Sequence, residues 1–77
     1  MEKLLSEFKI GEKGSVKSVA GDGPIRRRLF DMGVTPGAKI VLKKCAPLGD
    51  PLEVNLRGYE LTLRKAEASF VTMEVER

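Results

Sequence analysis

The side chains able to do chemistry are few. The 77-residue chain holds one cysteine, Cys45, and no histidine. The ligand sets of zinc fingers and zinc hydrolases therefore cannot be assembled, and no imidazole base is available. No serine or cysteine stands at a recognisable nucleophile spacing from a base. Gly11-Glu12-Lys13-Gly14-Ser15 has the outline of a phosphate-binding loop, but serine directly follows its last glycine. Gly21-Asp22-Gly23 lacks the third glycine of a dinucleotide fingerprint. Both are expected to be turns. Glu53, Glu60, Glu67, Glu74 and Glu76 are scattered without paired-ligand spacing. Ferrous iron prefers several nitrogen and oxygen ligands in a fixed set, which this chain does not offer. No catalytic residue, no metal ligand and no cofactor is expected.

Contact is the chemistry that remains. The chain carries 14 Lys plus Arg against 11 Asp plus Glu, a net charge of +3. Residues 1–40 hold eight basic and five acidic side chains, whereas residues 41–77 hold six of each. The excess thus lies in the first half, and Arg26, Arg27 and Arg28 are its densest point. On an ideal helix Ile25 and Leu29 face inward, Arg26 and Arg27 point away, and Arg28 flanks Met32. These arginines form either a solvated helix face or a docking surface for an acidic patch, aided by Lys39, Lys43 and Lys44 if those fall nearby. Phe30 lies about 140° from Ile25 on a helix of about 100° per residue. Either the helix is buried on more than one side, or Phe30 joins the arginines as an exposed aromatic anchor. The Ala46–Pro51 loop leaves Leu48 outward beside Pro51. It is either a rigid strand connection or the wall of a groove with Met32, Val34 and Pro36.

The elements that must position these residues follow from periodicity. Ala38–Ala46 sets Ile40 and Leu42 on one face and Val41, Lys43 and Cys45 on the other. Leu52–Arg57 alternates, and Leu61–Arg64 repeats the pattern after a turn at Gly58-Tyr59. Val71, Met73 and Val75 share one face of a last strand. Ser15–Ala20 is a fifth strand, less regular because Val16 and Val19 are three apart. Asp22–Gly33 breaks the two-residue period and reads as a helix. Asp22 or Gly23 serves as its N-cap, Pro24 takes the first turn, and Gly33 lies past its end. Lys65–Ala68 adds one helical turn. Thr35-Pro36-Gly37 reads as a type II turn.

Five short strands and a small helix in one domain of this size point to a small all-β barrel. A sheet closed on itself buries its inward side chains and removes exposed edges. With 42% apolar and 32% charged residues the chain is globular. No apolar run approaches the roughly 20 residues that span a bilayer. The N-terminus places charge where a signal peptide needs its apolar stretch. A lone cysteine fits a reducing, cytoplasmic setting.

Arg28-Leu29-Phe30-Asp31-Met32-Gly33-Val34-Thr35-Pro36-Gly37 resembles the corresponding stretch of the ferrous iron transport protein A (FeoA) family. Gly11 with Gly14, Pro47-Leu48-Gly49-Asp50-Pro51 and Gly58-Tyr59-Glu60-Leu61-Thr62-Leu63-Arg64 stand in the expected order. The resemblance runs from about Leu5 to Glu76. It implies an SH3-like barrel, with the short helix after the first strand. The same domain forms the C-terminal part of iron-dependent repressors. Because the chain ends with the barrel, a stand-alone transport protein is expected rather than a repressor fragment. The implied function is a non-catalytic accessory role in bacterial ferrous iron uptake. The implied partner is the cytoplasmic GTP-binding part of the membrane transporter FeoB, met without membrane insertion. Arg26, Arg27, Arg28, Phe30, Met32, Val34, Pro36, Leu48 and Pro51 are the expected partner-binding residues. The alternative is a small basic nucleic-acid-binding or metal-responsive regulatory barrel. Phe8, Phe30, Tyr59 and Phe70 lie on different elements, however, and make no aromatic stripe for single-stranded nucleic acid.

Overall fold

A computed structural model describes residues 1–76. Six strands form one antiparallel sheet: β1 (Glu2–Leu4), β2 (Lys13–Val19), β3 (Lys39–Cys45), β4 (Leu52–Leu56), β5 (Tyr59–Leu63) and β6 (Val71–Val75). Their order across the sheet is β1-β6-β2-β3-β4-β5. Helix α1 spans Gly23–Asp31 and α2 spans Lys65–Ala68, while Leu5–Glu7 makes a single tight helical turn.

The all-β class stands, with two corrections. The strands number six rather than five, and α1 follows the second strand rather than the first. The added strand is β1, three residues too short to show a period. It exists because β6 supplies a partner, with Lys3 opposite Met73. Nor does the ladder close among the described residues, where β1 and β5 are the edges of the sheet. Side chains fill the gap instead. The Leu5–Glu7 turn packs against α2, and Leu5, Phe8 and Ala68 all join the core.

Alternation placed most of that core. Ile40, Leu42, Leu52, Val54, Leu56, Leu63, Val71 and Met73 are buried, each contributing about 1.5–3 kcal/mol for a full-sized side chain. No polar or charged residue lies buried among the described residues. Two bulges bend the sheet around this core. The β2–β6 register shifts between Val16 and Ser18, which accounts for the three-residue spacing of Val16 and Val19. The β3–β4 register shifts between Leu42 and Lys44, turning Cys45 back to the Leu52 side. Gly14 sits in the tightest part of the sheet, where a Cβ would drive into the Glu74 carbonyl oxygen.

The β4–β5 hairpin turns one residue earlier than the sequence suggests. Leu56 pairs with Tyr59, so Arg57 and Gly58 are the two central residues, with φ of 52° and 87°. Positive φ at both positions defines a type I′ turn. An arginine at the first of them masked it. At Thr35–Ala38 the expected type II turn forms: Ala38 N–H donates to Thr35 O at 2.9 Å, and Gly37 has φ of 92°.

Candidate functional site

Helix α1 stands on the barrel by one stripe. Leu29 is fully buried, and Ile25, Phe30 and Met32 are half-buried against the core. Pro24 lies in the first turn, where its missing N–H has no helical partner to lose. The helix closes in a Schellman arrangement. Val34 N–H donates to Leu29 O and Gly33 N–H to Phe30 O, both at 2.9 Å. This return swings Val34 into the core, where it is fully buried. Val34 therefore offers no side chain to a partner and is corrected out of the expected binding set; it holds the end of α1 in place. Pro36 and Pro51 are exposed, and Met32 is partly so.

Phe30 is buried on its inner side, and the Arg26 guanidinium carbon lies 4.9 Å from its ring centroid. This places a cation over the aromatic face at the i, i+4 spacing of one helical turn. Arg26 and Arg27 have no ion-pair partner among the described residues. Arg28 does not simply flank Met32. Its Nε lies 3.3 Å from Glu67 Oε2 on α2. Two open hollows flank Arg27. One, of about 530 Å³, is lined by Gly23, Pro24, Arg27, Arg28 and Asp31. The other, of about 370 Å³, is lined by Gly23, Arg26, Arg27, Phe30 and Asp31. Neither is a closed apolar pocket of the kind that engulfs a small ligand.

The Ala46–Pro51 loop carries Leu48 almost bare, at 92% exposure. Its base is fixed: Gly49 N–H donates to Ala46 O at 2.7 Å, and Ala46 N–H to Pro51 O at 3.1 Å. Asp50 Oδ1 accepts the Lys65 N–H at 3.0 Å. So α2 contacts both segments, α1 through Glu67 and the loop through Lys65. Asp50 and Glu67 were missing from the sequence-based set. Glu67 could have been found from its position three residues after Arg64, whose N–H it caps at 2.9 Å. The lysines of β3 are placed by the strand register. Lys39 lies opposite Ser15 on β2, and Lys44 lies opposite Glu53 on β4.

Among the described residues no group of three or more His, Cys, Asp or Glu side chains could hold a metal ion. Cys45 is half-buried and free. No helix among the described residues is long and apolar enough to cross a membrane.

These features define a class: a small SH3-like β-domain with a basic helix on its outside and a bare leucine on a neighbouring loop. The chain belongs to the FeoA family, whose FeoA domain matches residues 3–75. It is 34% identical over 71 residues to an Fe(2+) transport protein A/Fe(2+) transporter FeoB fusion protein of Porphyromonas gingivalis. That match covers 92% of this chain but 8% of the fusion protein's length. The solution structure of FeoA from Chlorobium tepidum is 45% identical, with a TM-score of 0.89 over 97% of this chain and 71% of that one. The zinc complex of Stenotrophomonas maltophilia FeoA is described as a prokaryotic SH3 domain protein and put forward as a ferrous iron transport activating factor. It is 29% identical, with a TM-score of 0.82 over 97% of this chain and 96% of that one. A manganese-dependent transcriptional repressor shares the fold at 14% identity, with a TM-score of 0.91 over 97% of this chain and 37% of the repressor.

Proposed function

We propose that this domain is a non-catalytic cytoplasmic accessory protein of ferrous iron uptake that docks on the GTP-binding part of FeoB. The observation that carries the reading is the link through α2. Arg28, beside Arg26, Arg27 and Phe30 on α1, pairs with Glu67, and Asp50, two residues from the bare Leu48, accepts the Lys65 N–H, so both segments are anchored to one short helix. Exposed arginine and leucine side chains beside a half-buried aromatic are the residue types that suit a protein partner. The occurrence of both proteins in one polypeptide in P. gingivalis supports the choice of partner.

Docking acts by differential affinity. If the surface fits one conformation of the GTP-binding domain better than another, it shifts the balance between them by that difference. The arginines steer the encounter, and Leu48 with the exposed side of Phe30 anchors it. Capture of the purified transporter by the wild-type domain, by Arg27→Glu and by Leu48→Asp tests the reading. Both substitutions lie at exposed positions, so folding is retained while capture falls. Equal capture by all three removes this surface from the mechanism.

A further inference from the structure

Strand β5 is an open edge. It pairs with β4 on one side and, among the described residues, with no strand on the other. The hairpin fixes which backbone groups are free. With Arg57-Gly58 as a two-residue turn, Leu56 and Tyr59 form the closing hydrogen-bonded pair. Tyr59, Leu61 and Leu63 thus turn their N–H and C=O groups toward β4, and Glu60 and Thr62 turn theirs outward. The outward groups have no backbone partner in turns or loops among the described residues.

Proteins usually blunt such edges with proline, lysine, bulges or very short strands. The other edge, β1, is three residues long and carries Lys3. Strand β5 has five residues, Tyr-Glu-Leu-Thr-Leu, and its register against β4 is unbroken. It bears no proline and no lysine, and Tyr59 is 71% exposed.

We infer that β5 pairs antiparallel with β5 of a second copy of this chain, about a two-fold axis at Leu61. The phase of the free groups selects this register. It sets Glu60 opposite Thr62 of the second copy, so the outward N–H and C=O groups of both residues are exchanged in each of two symmetric pairs. It sets Leu61 against Leu61 and brings Tyr59 beside Leu63, which is already buried in each copy, so the apolar surface covered on that face is that of the half-buried Leu61 and the exposed Tyr59.

The charges agree with the register. No like charges stand directly opposite. Arg64, extended at the end of β5 and on the Glu60 face, lies diagonal to Glu60 of the other copy. That gives two attractive diagonals against a single Glu60–Glu60 repulsion. The contact joins two short edges and falls below a standard-size interface, so association is weak and concentration-dependent. The operation is isologous and closes at two copies.

Sedimentation equilibrium of the full chain, from micromolar to millimolar concentration, tests this together with amide exchange. The expected result is a monomer–dimer equilibrium. On dilution the Glu60 and Thr62 amides exchange fast while Leu61 stays protected, and at high concentration all three are protected. Glu60→Lys, an exposed change that leaves the fold intact, makes all three diagonals repulsive and weakens the dimer by about tenfold. Thr62→Pro removes an outward donor and abolishes the dimer; if that variant misfolds, Glu60→Lys and the exchange pattern decide. A wild-type protein monomeric throughout overturns the inference. So does a dimer unchanged by Glu60→Lys, or one that leaves the Glu60 and Thr62 amides unprotected.

Discussion

Arg28 on α1 and Glu67 on α2 are joined side chain to side chain, Nε to Oε2 at 3.3 Å. The other carboxylate oxygen of Glu67 accepts the Arg64 N–H at 2.9 Å. Glu67 is the better enclosed partner, with 13% of its side chain exposed against 65% for Arg28. One carboxylate therefore starts α2 and ties the basic helix to it.

The two ends of that pair differ in worth. Glu67→Ala loses the cap and strands the Arg64 N–H, and costs about 1–1.5 kcal/mol. Arg28→Ala removes only a mostly hydrated ion pair and costs less than about 0.5 kcal/mol. Glu67→Gln keeps an acceptor for the cap and falls between them. Urea unfolding midpoints of the three variants check this order.

Arg57 holds a positive φ that a side chain of its size rarely takes. Asparagine tolerates the same conformation and forms the preferred type I′ pair with a following glycine. Arg57→Asn therefore stabilises the domain by about 0.5–1 kcal/mol. The melting temperature rises by roughly 4–8 °C per kcal/mol in a domain of this size. A melt at or below the wild-type value contradicts the turn assignment.

Gly14 and Gly37 are favoured as glycine for different reasons, and alanine separates them. At Gly37 a Cβ meets nothing within 4 Å, so Gly37→Ala costs only the strained φ, about 1–2 kcal/mol. At Gly14 the Cβ would push the β2 backbone away from β6 beside Glu74. Gly14→Ala costs more than about 3 kcal/mol, which a marginally stable small domain barely survives. Circular dichroism melts of both variants show which is the larger loss.

How much was legible in the sequence depended on whether a residue's partner was local. The Ile40/Leu42 and Leu52/Val54/Leu56 faces follow from alternation alone, because each strand has one dry side. The end of α1 was readable at Met32-Gly33, where a local backbone motif sets the turn. Strand β1 was not, since Glu2-Lys3-Leu4 has no period and takes its conformation from β6. The hairpin was displaced by one residue because arginine at positive φ has no sequence signature. Val34 was assigned to a groove as an apolar residue beside a turn, whereas the chain reversal after Gly33 carries it inward. The approach of Glu67 to Arg28, and of Asp50 to the Lys65 amide, joins distant parts of the chain that only the folded sheet brings together.

Acid titration probes another tether. Glu12 accepts the Lys9 N–H at 2.6 Å and pairs with Lys3 Nζ at 2.6 Å. The Lys3 side-chain hydrogen bond, then the Lys9 backbone hydrogen bond, hold its carboxyl below the ordinary value of 4.5. Between the folded value and 4.5 the unfolded chain binds more protons, so stability rises with pH through that window. The contribution is fully present above pH 4.5 and is lost as the pH falls through the folded value. Glu12→Gln flattens this part of the stability profile. Urea midpoints measured from neutral to acid pH compare the slopes of the two proteins.

Leu48 stays bare although Asp50 and Gly49 pin the backbone on its far side. Its hydration penalty, on the order of 2 kcal/mol, goes unrecovered in the isolated domain. That sum is worth almost thirtyfold in an equilibrium constant, and it falls to whichever molecule first shuts water away from a single isobutyl group.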